Sequence, residues 1–146
     1  MYLDGQGGAG KSRVLSELLL YAQDFTTRLS LRFDMRTIIV SAMSGVAATS
    51  VGGETTHSVA FLNGNIPPDD VSWANARLLI IDEMSFMNTH ELEKLDEKLR
   101  TLMRCHPALY GGINVIFAGD FRQLEPCTGR PLYSRLHSDK KWIHSI

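Results

Sequence analysis

The residues Gly5-Gln6-Gly7-Gly8-Ala9-Gly10-Lys11-Ser12 fit the pattern G-x-x-x-x-G-K-[ST]. Glycine at this density lets a loop adopt positive φ and turn its backbone N–H groups onto an anion. A helix starting near Lys11 would aim its unpaired N–H groups and its dipole at the same point. Lys11 then becomes a point charge for the β- and γ-phosphates of a nucleoside triphosphate, and Ser12 offers a hydroxyl to Mg²⁺. The binding surface is mostly backbone, so Gly5, Gly7, Gly8, Ala9 and Gly10 count as nucleotide-binding positions together with Lys11 and Ser12.

A second group stands downstream. Asp82 and Glu83 follow the aliphatic run Leu78-Leu79-Ile80-Ile81. A carboxylate presented at the end of a buried strand can hold Mg²⁺, usually through water, opposite Ser12. Glu83 beside it can orient or deprotonate an attacking water. An Asp-Glu pair alone would better suit the first turn of a helix, and it is the phosphate-binding loop upstream that turns the reading to hydrolysis. Gln123 lies just past a third apolar run, and its amide can both donate and accept, as contact with a γ-phosphate or the attacking water requires. Read alone, Gln123 is better taken as a surface polar residue, and its place just beyond a strand end beside Asp82 makes the two readings even. His57 lacks a cluster of partners, and by spacing it is a capping or packing histidine.

The elements that must carry these groups alternate between strand and helix. Met1-Tyr2-Leu3 reads as a strand end. Lys11 to about Gln23 reads as a helix with Val14, Leu15, Leu18, Leu19 and Ala22 on one face. From Asp24 to Arg36, Arg28, Arg32 and Arg36 are interleaved with Leu29, Leu31 and Phe33. This stretch reads as a solvated helix end or loop, with a nucleic-acid contact as the second reading. Thr37-Ile38-Ile39-Val40, Arg77 to Ile81 and Asn114 to Ala118 are short apolar strands of the kind covered on both faces. Val46-Ala47-Ala48 can start a helix that Gly52-Gly53 breaks, and Thr55 to Ser58 offers capping hydroxyls for another. A loop spans Asn63 to Asp70. A long helix runs from Asn88 or Thr89 to Arg104, with Leu92, Leu95, Leu99, Leu102 and Met103 inward. Its charges Glu91, Glu93, Lys94, Glu97 and Lys98 read as a solvated face. The alternation predicts an α/β domain: a mostly parallel sheet with helices on both faces and ligands at the carboxyl ends of the strands.

Bulk properties set limits. A chain of 146 residues is most simply one domain, and a formal net charge of −1 gives no global electrostatic case for nucleic acid. Any such binding must use a local surface. Cys105 and Cys127 are too few and too far apart for a zinc ribbon. No apolar run approaches a membrane span, and no secretory leader is visible, so the expectation is an intracellular protein without a membrane partner.

Taken together, four blocks resemble a known family. GQGGAGKS (5–12), SAMSGVAATSVGGETTHS (41–58), LLIIDEMSFM (78–87) and GDFRQLEP (119–126) look like motifs I, Ia with its extension, II and III of the PIF-type helicases. These are superfamily-one DNA helicases, named from petite integration frequency. The resemblance spans almost the whole chain, and Gly45-Val46-Ala47-Ala48 followed by Gly52-Gly53, Thr55 and His57-Ser58 is its most specific part. It implies a RecA-like, P-loop NTPase fold and an ATP hydrolase that uses Mg²⁺. By it Lys11 and Ser12 bind nucleotide and metal, Asp82 and Glu83 are the motif II acids, and Gln123 is the motif III glutamine. Ser44, Gly45 and His57 fall in the segment that lies along single-stranded DNA in such helicases, where contacts are to backbone and base faces rather than to base edges. The resemblance also implies 5′-to-3′ movement on single-stranded DNA, unwinding at duplex junctions, and roles in DNA repair, recombination and telomere maintenance. The nucleus would be the first compartment and the mitochondrion the second.

The chain departs from the family pattern at Ala9, Arg122 and Glu125, of which the last two bear on the DNA-facing side. Gly5 lies so near Met1 that the adenine-recognising segment of the family is expected to precede this chain. The second motor domain, whose arginines reach the γ-phosphate, is expected to follow it. The domain expected is therefore the first RecA-like motor domain over 1–146, truncated at both ends and weakly active alone. The alternative is a truncated or transposon-derived remnant that binds nucleotide without motor activity.

Overall fold

The computed structural model describes residues 1–30 and 36–134. The remaining positions, which include Leu31, Arg32 and Phe33 of the basic stretch, lie outside the described residues. Five strands pair in parallel in the order β1-β5-β4-β2-β3: β1 (Tyr2–Asp4), β2 (Ile38–Ala42), β3 (Glu54–Thr55), β4 (Leu78–Asp82) and β5 (Asn114–Gly119). The α/β fold with a parallel sheet is thus as expected. β3 was not, being only two residues long and too short to show a pattern.

β4 explains why its sequence is continuously aliphatic. Leu79 and Ile81, with Val115 and Phe117 of β5, pack against Leu95 and Leu99 of helix α4 (Thr89–Leu102). Ile80, with Ile116 and Ala118, packs against Leu15 of helix α1 (Lys11–Arg28) on the opposite face. Alternate side chains of one strand therefore serve two cores. Leu79, Ile80 and Ile81 are all fully buried.

The helices differ from expectation in instructive ways. α1 runs one turn beyond Gln23, through an ion pair of 2.7 Å between Arg28 and Asp24, and the chain turns at Ser30 with φ 54°. Both charges are well exposed, in keeping with a solvated helix end. Val14, expected on the packed face, is exposed, whereas Leu15 is buried. The two are about 100° apart round the helix, and a narrow sheet covers only one of them.

On α4, Asn88 and Glu91 form a capping box: Asn88 Oδ1 accepts from the Glu91 N–H, and Glu91 Oε2 from the Asn88 N–H, both at 2.9 Å. The charges of α4 do not form a single solvated face. Glu97 is exposed, but Lys98 donates to the Gly64 carbonyl at 2.6 Å, and Glu91 is half-buried in the capping box. Asp96 is buried, accepting from Arg100 Nε at 2.7 Å and from the Tyr110 N–H at 2.6 Å.

Two short helices, α2 (Gly45–Ser50) and α3 (Thr56–Val59), link β2 to the loop before β4. Ser44 and Thr55 cap them, each accepting a backbone N–H. Gly53 passes against the Val40 backbone, where a Cβ would collide with the carbonyl.

Two substitutions test this architecture by urea denaturation. Leu95→Ala, which empties a fully buried site, should cost ~2–5 kcal/mol. Asn88→Ala, which removes the α4 cap, should cost about 1 kcal/mol. Unchanged midpoints would contradict the packing and the cap respectively.

Candidate active site

Both glycines that turn the phosphate-binding loop have positive φ, Gly8 at 78° and Gly10 at 89°. Gly10 is the N-cap of α1 and provides no side-chain cap, and the first turn of α1 carries no acid. The N-terminal N–H groups of α1 are therefore neither side-chain-capped nor screened by a carboxylate, as anion binding requires. The Lys11 ammonium folds back onto its own loop, donating to the carbonyls of Gly5 and Gln6, the latter at 3.1 Å. Phosphate oxygens, being charged acceptors, compete well against neutral carbonyls for such a donor.

Strand order brings the other groups in. β5 lies between β1 and β4, so the loop after β1, the acids after β4 and the turn after β5 open on one edge. They line a cleft of about 310 Å³ that includes Gly7, Lys11, Ser12, Asp82, Glu83 and Gln123. A larger groove of about 670 Å³ runs along β2 and Trp73, but it contains none of these groups. The groups singled out in the sequence meet in the smaller cleft.

Asp82 is buried at the end of β4, and its Oδ1 accepts from the Glu83 N–H at 2.9 Å. The Met43 N–H donates to the Asp82 carbonyl at 3.1 Å, tying the end of β2 to it. Glu83 itself adopts φ 56° and ψ 39°, left-handed for a residue with a Cβ, and starts a short 3₁₀ turn over Met84–Phe86. Ser44 donates to Glu83 Oε2 at 2.6 Å.

Gln123 sits on the loop. A Cβ on Gly7 would run into its side-chain amide, so glycine at that position makes room for the glutamine. Asp120, to which the sequence reading assigned no role, builds the turn that delivers it. It is buried, accepts from the Arg122 N–H at 2.9 Å and from Arg122 Nε at 3.3 Å, and its carbonyl accepts from the Gln123 N–H at 3.0 Å. Phe121 in this turn stacks on Tyr2 of β1 with centroids 5.2 Å apart. A carboxylate accepting from the N–H two residues on is the usual Asx turn, and Asp before Phe-Arg-Gln was the available signal.

His57 is placed elsewhere. Its Nε2 pairs with Glu91 Oε1 at 3.0 Å, joining α3 to the cap of α4, and it does not line the cleft. Gly45 is exposed at the start of α2.

Among the described residues there is no cluster of three His, Cys, Asp or Glu side chains fit to hold a metal by themselves. Among the hydroxyls and carboxylates that line the cleft are those of Ser12 and Asp82. That donor set fits Mg²⁺, which keeps several waters and takes phosphate oxygens as further ligands. When bound, Mg²⁺ would neutralise charge on the β- and γ-phosphates.

The Arg122 N–H holds the Asp120 carboxyl below its ordinary value; burial opposes this, while the Arg122 guanidinium and Lys11 add to it. A depressed folded-state value contributes stability that is fully present above the unfolded value of about 3.9, and is lost as the pH falls through the folded one. Asp120→Asn keeps the Oδ1 acceptor but not the titration. Its melting temperature should fall less steeply than that of the parent protein below about pH 4, and superimposable acid limbs would contradict the link.

Known proteins resemble this chain in sequence and in architecture. A family model described as PIF1-like helicase matches residues 1–144. The ATP-dependent DNA helicase PIF1 of Saccharomyces cerevisiae (strain YJM789) is 31% identical over 144 residues, covering 90% of this chain and 16% of the yeast protein. The helicase PIF5 of Trypanosoma brucei brucei is 34% identical, covering 89% of this chain and 14% of its own length. The crystal structure of Pif1 helicase from Candida albicans superposes with a TM-score of 0.71 at 30% identity, over 88% of this chain and 30% of that one. Pif1 from Bacteroides in complex with ADP-AlF3 and single-stranded DNA gives 0.67 at 32% identity, over 87% and 29%. The chain spans only about a sixth of the length of the yeast relative. With a family model matched over nearly its full length, this chain belongs to the PIF1-like helicase family.

Proposed function

We propose that residues 1–146 form the first motor domain of an ATP-dependent DNA helicase, and that the cleft between α1 and β4 binds and hydrolyses ATP. The observation that carries this is the convergence of Lys11, Ser12, Asp82, Glu83 and Gln123 on one edge of a parallel sheet. The loop and Lys11 bind the phosphates, Ser12 and Asp82 hold Mg²⁺, Glu83 orients the attacking water and takes its proton, and Gln123 reads the γ-phosphate.

The second motor domain would close the cleft from outside these residues and supply the cations that face the γ-phosphate. Single-stranded DNA would run along the segment from Ser44 to Ser58, where Gly45 and Ser58 are exposed. His57 is paired with Glu91, and its part in DNA binding is to hold α3 in place rather than to reach the strand. The partners are then single-stranded DNA and duplex junctions, in a DNA-containing compartment: the nucleus first, the mitochondrion second. Among the described residues no helix is long and apolar enough to cross a membrane.

Lys11→Ala and Glu83→Gln separate binding from turnover. In the full-length protein carrying these residues, Lys11→Ala should lose ATP binding. Glu83→Gln should bind ATP but lose ~10²–10⁴-fold in DNA-stimulated turnover. Either variant turning over at the parent rate would refute the assignment, and normal ATP binding without DNA stimulation in the parent would favour a nucleotide-binding remnant. The 146 residues expressed alone should hydrolyse ATP at least ~10³-fold more slowly than the two-domain protein, because the facing arginines are missing.

A further inference from the structure

Glu83 has almost no freedom left in its backbone. Its N–H is held by Asp82 Oδ1 at 2.9 Å, its φ is 56°, and Met84 behind it is buried. The position of the carboxylate is therefore decided by side-chain torsions alone. One hydrogen bond sets them: the Ser44 hydroxyl donates to Glu83 Oε2 at 2.6 Å, and among the described residues no other side chain holds that carboxylate.

Ser44 is fully committed in this arrangement. Its single proton goes to Glu83, and its oxygen accepts the Ala47 N–H at 3.2 Å as the cap of α2. The residue before it, Met43, is fixed to Asp82 through the backbone, so the ends of β2 and β4 move together. α2, by contrast, is seated by a separate small cluster of three alanine methyl groups, Ala42, Ala47 and Ala48. So shallow a contact lets α2 turn slightly without disturbing the sheet. Rotation about the Ser44 Cα–Cβ bond is then enough to turn the hydroxyl's hydrogen bond from Glu83 to another acceptor.

We propose that Ser44 is a positioning residue that tethers Glu83 away from the attacking water, and that a phosphate of single-stranded DNA on the Ser44–Ser58 segment releases it by accepting the Ser44 hydroxyl hydrogen bond in its place. One hydroxyl proton cannot serve both acceptors, so strand occupancy and the tether exclude each other. DNA-stimulated ATP hydrolysis follows from that competition. The proposal rests on the reading of this segment as the path of the strand.

The test uses the full-length protein with Ser44→Ala, Ser44→Gly and Ser44→Thr. Glycine is tolerated at an N-cap at little cost, so Ser44→Gly removes the tether with little loss of α2 stability. ATP turnover is measured with and without oligo-dT, and oligo-dT affinity is measured by fluorescence anisotropy. Untethered Glu83 should raise DNA-independent kcat roughly tenfold or more, the scale of losing one hydrogen bond to a charged group. KM for ATP should stay the same, the stimulation ratio should collapse toward one, and Ser44→Thr should restore both parent values. If Ser44→Ala and Ser44→Gly bind oligo-dT, turn over no faster than the parent without DNA and keep its full stimulation ratio, the tether is refuted and the DNA path stands. If oligo-dT neither binds nor stimulates the parent protein, the DNA path fails and the tether fails with it.

Discussion

The placement of β5 between β1 and β4 is the constraint on which the site depends. Adjacent strands lie about 4.8 Å apart, so one intervening strand separates the phosphate-binding loop from the motif II acids by about 10 Å. A direct β1–β4 pairing would halve that gap and leave too little width for a phosphate chain and its metal. The intervening strand also has an end of its own, and from it Gln123 reaches the loop at Gly7. The order is enforced by burial. β5 pairs with β1 through Tyr2–Phe117 and with β4 through Ile80–Ile116, and those side chains belong to cores on both faces of the sheet. A slip of one residue would exchange the two cores.

Fold and chemistry pull against each other at Glu83. A left-handed backbone at a residue with a Cβ costs ~1–2 kcal/mol. It persists because Met84, which begins the 3₁₀ turn, and Met87, just after it, are buried in the main core and hold the chain in its sharp exit from β4. Gly119 at the end of β5 allows this: a Cβ there would approach the Met84 nitrogen to 3.1 Å. The strain therefore places Glu83 at the cleft instead of allowing β4 to run on.

Local features were legible in the sequence, and pairings between distant segments were not. The Gly5–Ser12 loop, the aliphatic runs ending at Ile81 and Ala118, and the start of the long helix at Asn88 or Thr89 each carry their own signal within a few residues. Ser44 and Glu83 are 39 residues apart, and His57 and Glu91 are 34 apart. Both pairs exist only because β2 lies beside β4, an order that hydrophobic patterning does not specify. Glu91 looked like a solvated helix charge because its periodicity is that of the polar face, yet its two oxygens are taken by Asn88 and His57. Asp120 lacked an assigned role for a related reason. Its Asx turn is local, but its importance comes from the glutamine that the turn aims across the sheet edge.

The charges lining the cleft bear on the proposal that a second domain closes it. Among the lining residues Lys11 is the one cation, against the carboxylates of Asp82, Glu83 and Asp120. Arg122 stands at the rim, bound to Asp120, and adds little toward the loop. A nucleoside triphosphate brings about four further negative charges, of which a divalent cation offsets two. With ionised acids, the wall, nucleotide and metal together remain strongly negative, and the imbalance is greatest where charge spreads over the γ-phosphoryl oxygens in the transition state. Cations arriving from the far side of the cleft would lower both the binding and the transition-state energy, but the second more, because only there is the charge on the transferring group newly exposed. On electrostatic grounds, then, the proposed hydrolysis at this wall would be tied to closure by a basic surface, the condition the proposed motor would need if it is not to spend ATP while open.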